Sequence, residues 1–217
     1  MGFFMGMRKK VLKCSVLFFM CIGIVAGGNG SYGKGLLGHI HDSHPPVKRS
    51  VSQYEVPIVT LLDQERRKIQ LDQALADPNP VLVEFFFTTC TTFCDIRSAR
   101  LASVQHELAQ ANIEVSFFSI SVDPEFDTPE RLLAYSTRML PVPDNWSLLT
   151  GPISDIHRVE SSFDARNPSA DKMLHQPLTF IRARPGQDWI RLEGMMSSHD
   201  LAQQIKVAVV SGVANHQ

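Results

Sequence analysis

The chain has no excess of charge, little cysteine and no apolar run long enough to span a bilayer comfortably. Each shortage excludes a class of protein. With 21 Lys and Arg against 22 Asp and Glu, the formal net charge of −1 provides no basic surface for recruiting phosphate backbones, so nucleic-acid binding is not expected. Four Cys in 217 residues are too few for a disulfide-stapled miniature, and any pair among them needs a chemical reason. Apolar residues at 44% and charged residues at 20% match soluble globular domains and exclude disorder, collagen and a polytopic membrane protein. No internal repeat is visible.

What is present begins with a leader. Arg8, Lys9, Lys10 and Lys13 precede an apolar run over residues 14–26, 13 residues long, where a spanning helix usually needs about 18–20. Residues 1–28 therefore read as a signal peptide cleaved after Ala26, or as a short amino-terminal membrane anchor. Cys21 does not read as a lipoprotein cysteine, because Phe18, Phe19 and Met20 stand where small residues are needed. The body of the protein is expected outside the cytoplasm, in the periplasm, soluble or tethered to the inner membrane, with membrane contact only through this segment if it is uncleaved. Cleavage would remove Cys14 and Cys21. Cys90 and Cys94 would remain, in a compartment where thiols oxidise unless a metal or a reducing partner holds them.

Residues 29–53, rich in Gly and closed by Pro45 and Pro46, read as a flexible linker. His39, His41 and His44 lie in it as a cluster able to catch a metal loosely, although a solvated linker with no ligand role is the preferred reading. A folded domain is expected over 54–212, with a tail over 213–217. Within it, residues 81–87 read VLVEFFF, a strand buried on both faces. Ile96, Leu101, Val104 and Leu108 then keep helical spacing, and residues 113–122 are again β-branched and aromatic, which makes a βαβ unit. Thr128 and Pro129 open a second helix with Leu132, Tyr135 and Met139 on its apolar stripe. A short strand around Leu148 follows, then a third helix marked by Ile156, Val159 and Phe163. A polar loop leads to His175, a hairpin turns at Pro185-Gly186, and Ser197 with Asp200 opens a final helix through Leu201, Ile205 and Ala208. The class is α/β, with a mixed central sheet flanked by helices.

The segment Thr88-Thr89-Cys90-Thr91-Thr92-Phe93-Cys94-Asp95 falls between the carboxyl end of the central strand and the start of a helix. Open α/β sheets bind ligands there, and a helix start favours the thiolate that ligates metals and attacks disulfides. Two thiolates suit Cu(I), and an added imidazole gives a site that also holds Cu(II). Zinc could use the same groups but would normally want a fourth ligand, and a plain Cys90–Cys94 disulfide would close too small a loop to add much stability. His175 alone would more often be a satisfied rim residue than a ligand. Asp123 and Asp127 read as turn and helix-start residues, with partner recognition or site tuning as the other reading. His106, His157, His199 and His216 read as surface residues.

The VLVEFFF strand, CTTFC, the stretch SISVDPEFDTPE over residues 119–130 and His175 before a strand together resemble the SCO/SenC family, the thioredoxin-fold copper proteins of cytochrome c oxidase assembly. The resemblance implies a thioredoxin-like fold and one copper, Cu(I) or Cu(II), held by Cys90, Cys94 and His175. It implies a metallochaperone that delivers copper to a respiratory oxidase or assembles its CuA-type copper site, a copper carrier with thiol-disulfide oxidoreductase activity left open. Its partners would be the copper-site subunit of that oxidase or another copper protein, together with an upstream copper chaperone or thiol reductant. Two features depart from or add to the family pattern. Thr91-Thr92-Phe93 and Asp95 stand where Pro-Asp and a following Pro are common, and Pro177 is similar to the cis-Pro facing the cysteine of thioredoxin-like reductases. The latter raises the alternative of an extracytoplasmic thiol-disulfide oxidoreductase, with Cys90 and Cys94 as the redox pair, that reduces the cysteines of a copper site.

Overall fold

In a computed structural model the chain is described at residues 47–89, 94–139, 143–167 and 176–214. Among these residues it forms the strands β1 (Lys48–Ser52), β2 (Thr60–Asp63), β3 (Lys68–Gln70), β4 (Val81–Phe86), β5 (Ser116–Ser121), β6 (Trp146–Thr150), β7 (Leu178–Arg182) and β8 (Trp189–Glu193). The helices are α1 (Leu71–Ala74), α2 (Cys94–Gln110), α3 (Pro129–Met139), α4 (Ile153–Ser162) and α5 (Ser198–Ala214). One mixed sheet runs in the order β1-β8-β7-β4-β5-β6-β2-β3. The pairs β4–β5 and β5–β6 are parallel, and the pairs β4–β7, β7–β8, β1–β8, β2–β6 and β2–β3 are antiparallel.

Every residue of β4 is buried, because helices cover both faces of the strand. Leu82 and Phe86 pack with Leu101, Val104 and Leu108 of α2, Leu132 of α3 and Leu201 and Ile205 of α5. On the opposite face, Val81, Val83 and Phe85 pack with Leu71 and Leu75 around α1 and with Ile156, Val159 and Phe163 around α4. Phe163 anchors that second core, its ring centroid lying 5.0 Å from Phe180 and 5.2 Å from Trp189. Asn112, with a left-handed φ of 55°, turns the chain out of α2. The β7–β8 hairpin closes on Arg184-Pro185-Gly186-Gln187, where Gly186 supplies the φ of 78° that Pro followed by Gly favours.

The structure departs from the sequence expectations at four points. The last residues of the expected linker form β1, which pairs with β8 through the register Lys48↔Glu193 to Ser52↔Trp189. The final helix runs on to Ala214. Ile96 is 58% exposed and lies off the buried face of α2, whose place there is taken by Arg97. No described peptide bond is cis, so the bond before Pro177 is trans and the likeness to the cis-Pro of reductases does not extend to its geometry. The leader and His39, His41 and His44 lie outside the described residues. Among the described residues no helix is long and apolar enough to cross a membrane.

Candidate metal and thiol site

Parallel strands leave their carboxyl ends on one side of a sheet, and the loops there gather the chemistry of α/β proteins. At this end β4 stops at Phe86, Phe87 is buried, and Thr88 and Thr89 turn the chain. Helix α2 then begins at Cys94, so the Cys94 backbone occupies the positive end of a 17-residue helix dipole. The antiparallel register of β4 with β7, Val81↔Arg182 to Glu84↔Thr179, brings the start of β7 beside the end of β4. The flanks of the two expected cysteine ligands and of the expected histidine ligand therefore meet at one edge. Cys90, His175 and the side chain of Cys94 lie outside the described residues.

Two polar constructions hold these flanks. In the first, Asp127 is fully buried and accepts hydrogen bonds from the Thr88 amide at 3.0 Å, from the Thr88 hydroxyl, and from the Ser121 hydroxyl at 2.6 Å. The chain reaches this geometry because the Asp123 carbonyl accepts the amides of Phe126 and Asp127, and the Asp123 amide donates to Ser121 Oγ at 3.1 Å. The turn expected at Asp123 is present. The Asp127 carboxylate does not cap α3. It ties the residues leading into Cys90 to the end of β5.

The second construction is centred on Glu84 in the middle of β4. Its Oε2 accepts from Arg97 Nη2 at 3.1 Å, and its Oε1 accepts from the Ser119 hydroxyl at 2.9 Å. Trp146 Nε1 donates in turn to Ser119 Oγ at 3.0 Å. The same Arg97 nitrogen also reaches the Leu178 carbonyl at 3.3 Å. One guanidinium thus joins the first turns of α2, the centre of β4 and the first residue of β7. Nearby, Ser98 Oγ and Tyr135 Oη share a hydrogen bond of 2.8 Å between α2 and α3, and Arg100 Nη1 donates to the Met196 carbonyl at 3.0 Å. The Gly194 amide bonds the Pro177 carbonyl at 2.9 Å and fixes the approach to β7.

Sequence reasoning missed Glu84 and Arg97. The signal was present, since a carboxylate inside VLVEFFF cannot be buried without a partner, but nothing local names Arg97. Glu160 of α4 is a further buried carboxylate, and burial pushes its pKa up to about 7 against the opposing pull of Arg166. Of the expected surface histidines, His106 and His199 are exposed and His157 is half-buried.

Comparison with known proteins bears on the family and the fold. The SCO1/SenC family model matches residues 57–209. The SCO1 protein homolog of Bacillus subtilis (strain 168) is 32% identical over 139 residues, covering 62% of this chain and 71% of the relative. The solved structure of BsSco, described by a disulfide switch and as a member of the Sco family of cytochrome c oxidase assembly proteins, is 29% identical with a TM-score of 0.62. That match covers 74% of this chain and 96% of the other. Arabidopsis thaliana ScoI with copper bound shares the fold at 18% identity and a TM-score of 0.59, over 70% of this chain and 96% of that one. The mixed sheet and its flanking helices are the thioredoxin-like fold of these proteins.

Proposed function

The chain belongs to the SCO1/SenC family, and from that premise we propose that it is an extracytoplasmic copper metallochaperone that uses Cys90, Cys94 and His175 as ligands. It delivers copper to a respiratory oxidase, or assembles that enzyme's CuA-type site. The observation that carries the reading is the β4–β7 register, which supports a common site by bringing the flanks of all three residues to one sheet edge. Copper is the cargo. Two thiolates and one imidazole form a soft, three-ligand set suited to Cu(I) and able to hold Cu(II). The start of α2 favours anionic sulfur at Cys94, and the contacts of Asp127 and Arg97 hold the approaches to the site from both chain segments.

Copper titration of the reduced protein tests this reading. One copper per chain is expected, with thiolate charge-transfer colour in the Cu(II) form. Equal stoichiometry and affinity in a Cys90→Ser, Cys94→Ser variant would overturn it. A second reading, thiol-disulfide exchange on the cysteines of a copper site, is favoured by the disulfide switch described for BsSco. His175→Ala separates the two, because an imidazole completes a copper site but is not needed for a thiolate to attack a disulfide. In cells, loss of a copper-dependent respiratory activity that added copper partly restores supports delivery. Normal respiration in that strain, alongside failure in a Cys90→Ser strain, supports exchange.

A further inference from the structure

The turn between β8 and α5 reads Gly194-Met195-Met196-Ser197-Ser198-His199, and of the eight Met in the chain only Met195 and Met196 are adjacent. The chain itself thus confines two thioethers and one imidazole to five residues. Both Met are half-buried, Met196 packing against the core that α2 and α5 share, and His199 is exposed at the start of α5. Its Nδ1 lies 3.4 Å from Glu107 Oε1 on α2. A carboxylate beside one ring nitrogen favours the proton there and leaves the other, Nε2, with the lone pair, the arrangement that stands behind metal-binding histidines. Charge around the turn is balanced. Arg100, Lys206 and the positive end of α5 are set against Glu107, which Lys206 meets at 2.7 Å, and Asp200, which accepts from Ser197. Softness of the donors therefore selects the ion, and thioethers select Cu(I). Among the described residues no three His, Cys, Asp or Glu side chains gather to hold a metal, so a harder ion finds no equivalent set.

The backbone of this turn is fastened to both flanks of the proposed copper site. The Gly194 amide donates to the Pro177 carbonyl at 2.9 Å, and the Met196 carbonyl accepts from Arg100 Nη1 at 3.0 Å. Arg100 stands about 9 Å along α2 from its start at Cys94. We propose that Met195, Met196 and His199 form an auxiliary Cu(I) site on this turn, from which copper passes to the cysteines. The second half of that statement rests on the function proposed above. Two thioethers and an imidazole are neutral donors and hold Cu(I) more weakly than thiolates, so transfer runs toward Cys90 and Cys94. In the exchange Cu(I) keeps its oxidation state, the three neutral donors are released, and the two thiols give their protons to solvent as they bind.

The test is an anaerobic titration of the reduced protein, its methionine methyl groups labelled with carbon-13, with Cu(I) supplied as the acetonitrile complex and followed by NMR. In wild type the first equivalent goes to the cysteines, and the second is expected to shift the Met195 and Met196 methyls with an affinity about a hundredfold weaker or less. In a Cys90→Ser, Cys94→Ser variant the first equivalent already shifts them, and Zn(II) does not. A Met195→Leu, Met196→Leu variant keeps the side-chain volume. It is expected to lose the weak binding, keep the tight copper and load from limiting Cu(I) about fivefold more slowly. His199→Ala is expected to weaken the auxiliary site about tenfold. The proposal is overturned if neither methyl moves in the cysteine-free variant, if Zn(II) moves them equally, or if the Met139 or Met173 methyl responds in their place. Retained weak binding or an unchanged loading rate in the Met195→Leu, Met196→Leu variant overturns it too, as does undiminished binding by His199→Ala. The same titration keeps the two readings apart. Methyl shifts without any tight copper sink the metallochaperone reading and leave the auxiliary site standing, whereas tight copper without methyl shifts does the reverse.

Discussion

Arg97 and Glu84 form a buried ion pair, Nη2 to Oε2 at 3.1 Å, with side-chain exposures of 6% and 2%. Burying two charges is costly, and hydrogen bonds to their remaining atoms are what repay it. Here the Ser119 hydroxyl serves the second carboxylate oxygen and the Leu178 carbonyl accepts from the same Arg97 Nη2, while Arg97 Nε is buried with no hydrogen-bond partner among the described residues. The pair therefore sets the spacing between the helix that starts at Cys94 and the strand that follows His175.

Removing one partner leaves the other charged and alone. Arg97→Met and Glu84→Leu are each expected to cost about 3–5 kcal/mol, while the double variant costs less than their sum. Denaturant unfolding in a double-mutant cycle measures the difference. An additive result would show that the pair contributes no coupling.

Asp127→Ala is expected to cost about 3 kcal/mol by stranding the Thr88 amide and the Ser121 hydroxyl. Exchange of the Thr88 amide with solvent should accelerate more than exchange in the centre of β4. A uniform loss of protection across both would show that Asp127 stabilises the fold in general and does not hold the approach to Cys90 in particular.

Glu160 makes stability depend on pH. Its carboxyl titrates near 4.5 when unfolded and near 7 in the native state, where burial raises it. The folded protein thus binds the extra proton between those values. The associated stabilisation is complete below about pH 4.5 and is lost as pH rises through about 7, a change of roughly 3 kcal/mol. Glu160→Gln is expected to melt higher than wild type at pH 8 and to flatten the profile between pH 5 and 8. An unchanged slope would assign the dependence to other groups.

A chain starting at residue 47 keeps β1, and one starting at residue 53 loses it. The first is expected to melt like the full protein and to give an unchanged copper spectrum, since it lacks only the leader, His39, His41, His44 and their neighbours. The second exposes the edge of β8 and is expected to lose about 2–4 kcal/mol and to aggregate more readily. A missing charge-transfer band in the first would place a ligand before residue 47.

The β4–α2–β5 unit, α3 and the β7–β8 hairpin were legible because each carries its own period, cap or turn. Strands β1, β2 and β3 were not. They are five, four and three residues long, and β1, reading Lys-Arg-Ser-Val-Ser, has little apolar content of its own. Its order comes from pairing with a strand some 140 residues away. The cysteines and histidine could be named from motif and resemblance, whereas Glu84, Arg97 and the contacts of Asp127 depend on partners that only the folded chain brings near. Ile96 misled for the opposite reason, as an apolar residue at helical spacing whose position on the buried face Arg97 had taken.

The edge strand also fixes where the described domain begins. Lys48 lies opposite Glu193, and Glu193 lies opposite Leu178, so the chain enters the sheet about 10 Å, two strand spacings, from the residue whose carbonyl Arg97 grips. Val47 packs against Gly194, which in turn bonds Pro177. The amino-terminal entry of the described domain and the flanks of the proposed ligands are thus on the same rim. Were the protein tethered through the residues before Val47, the length of that tether would set the reach of the rim without the width of the domain in between.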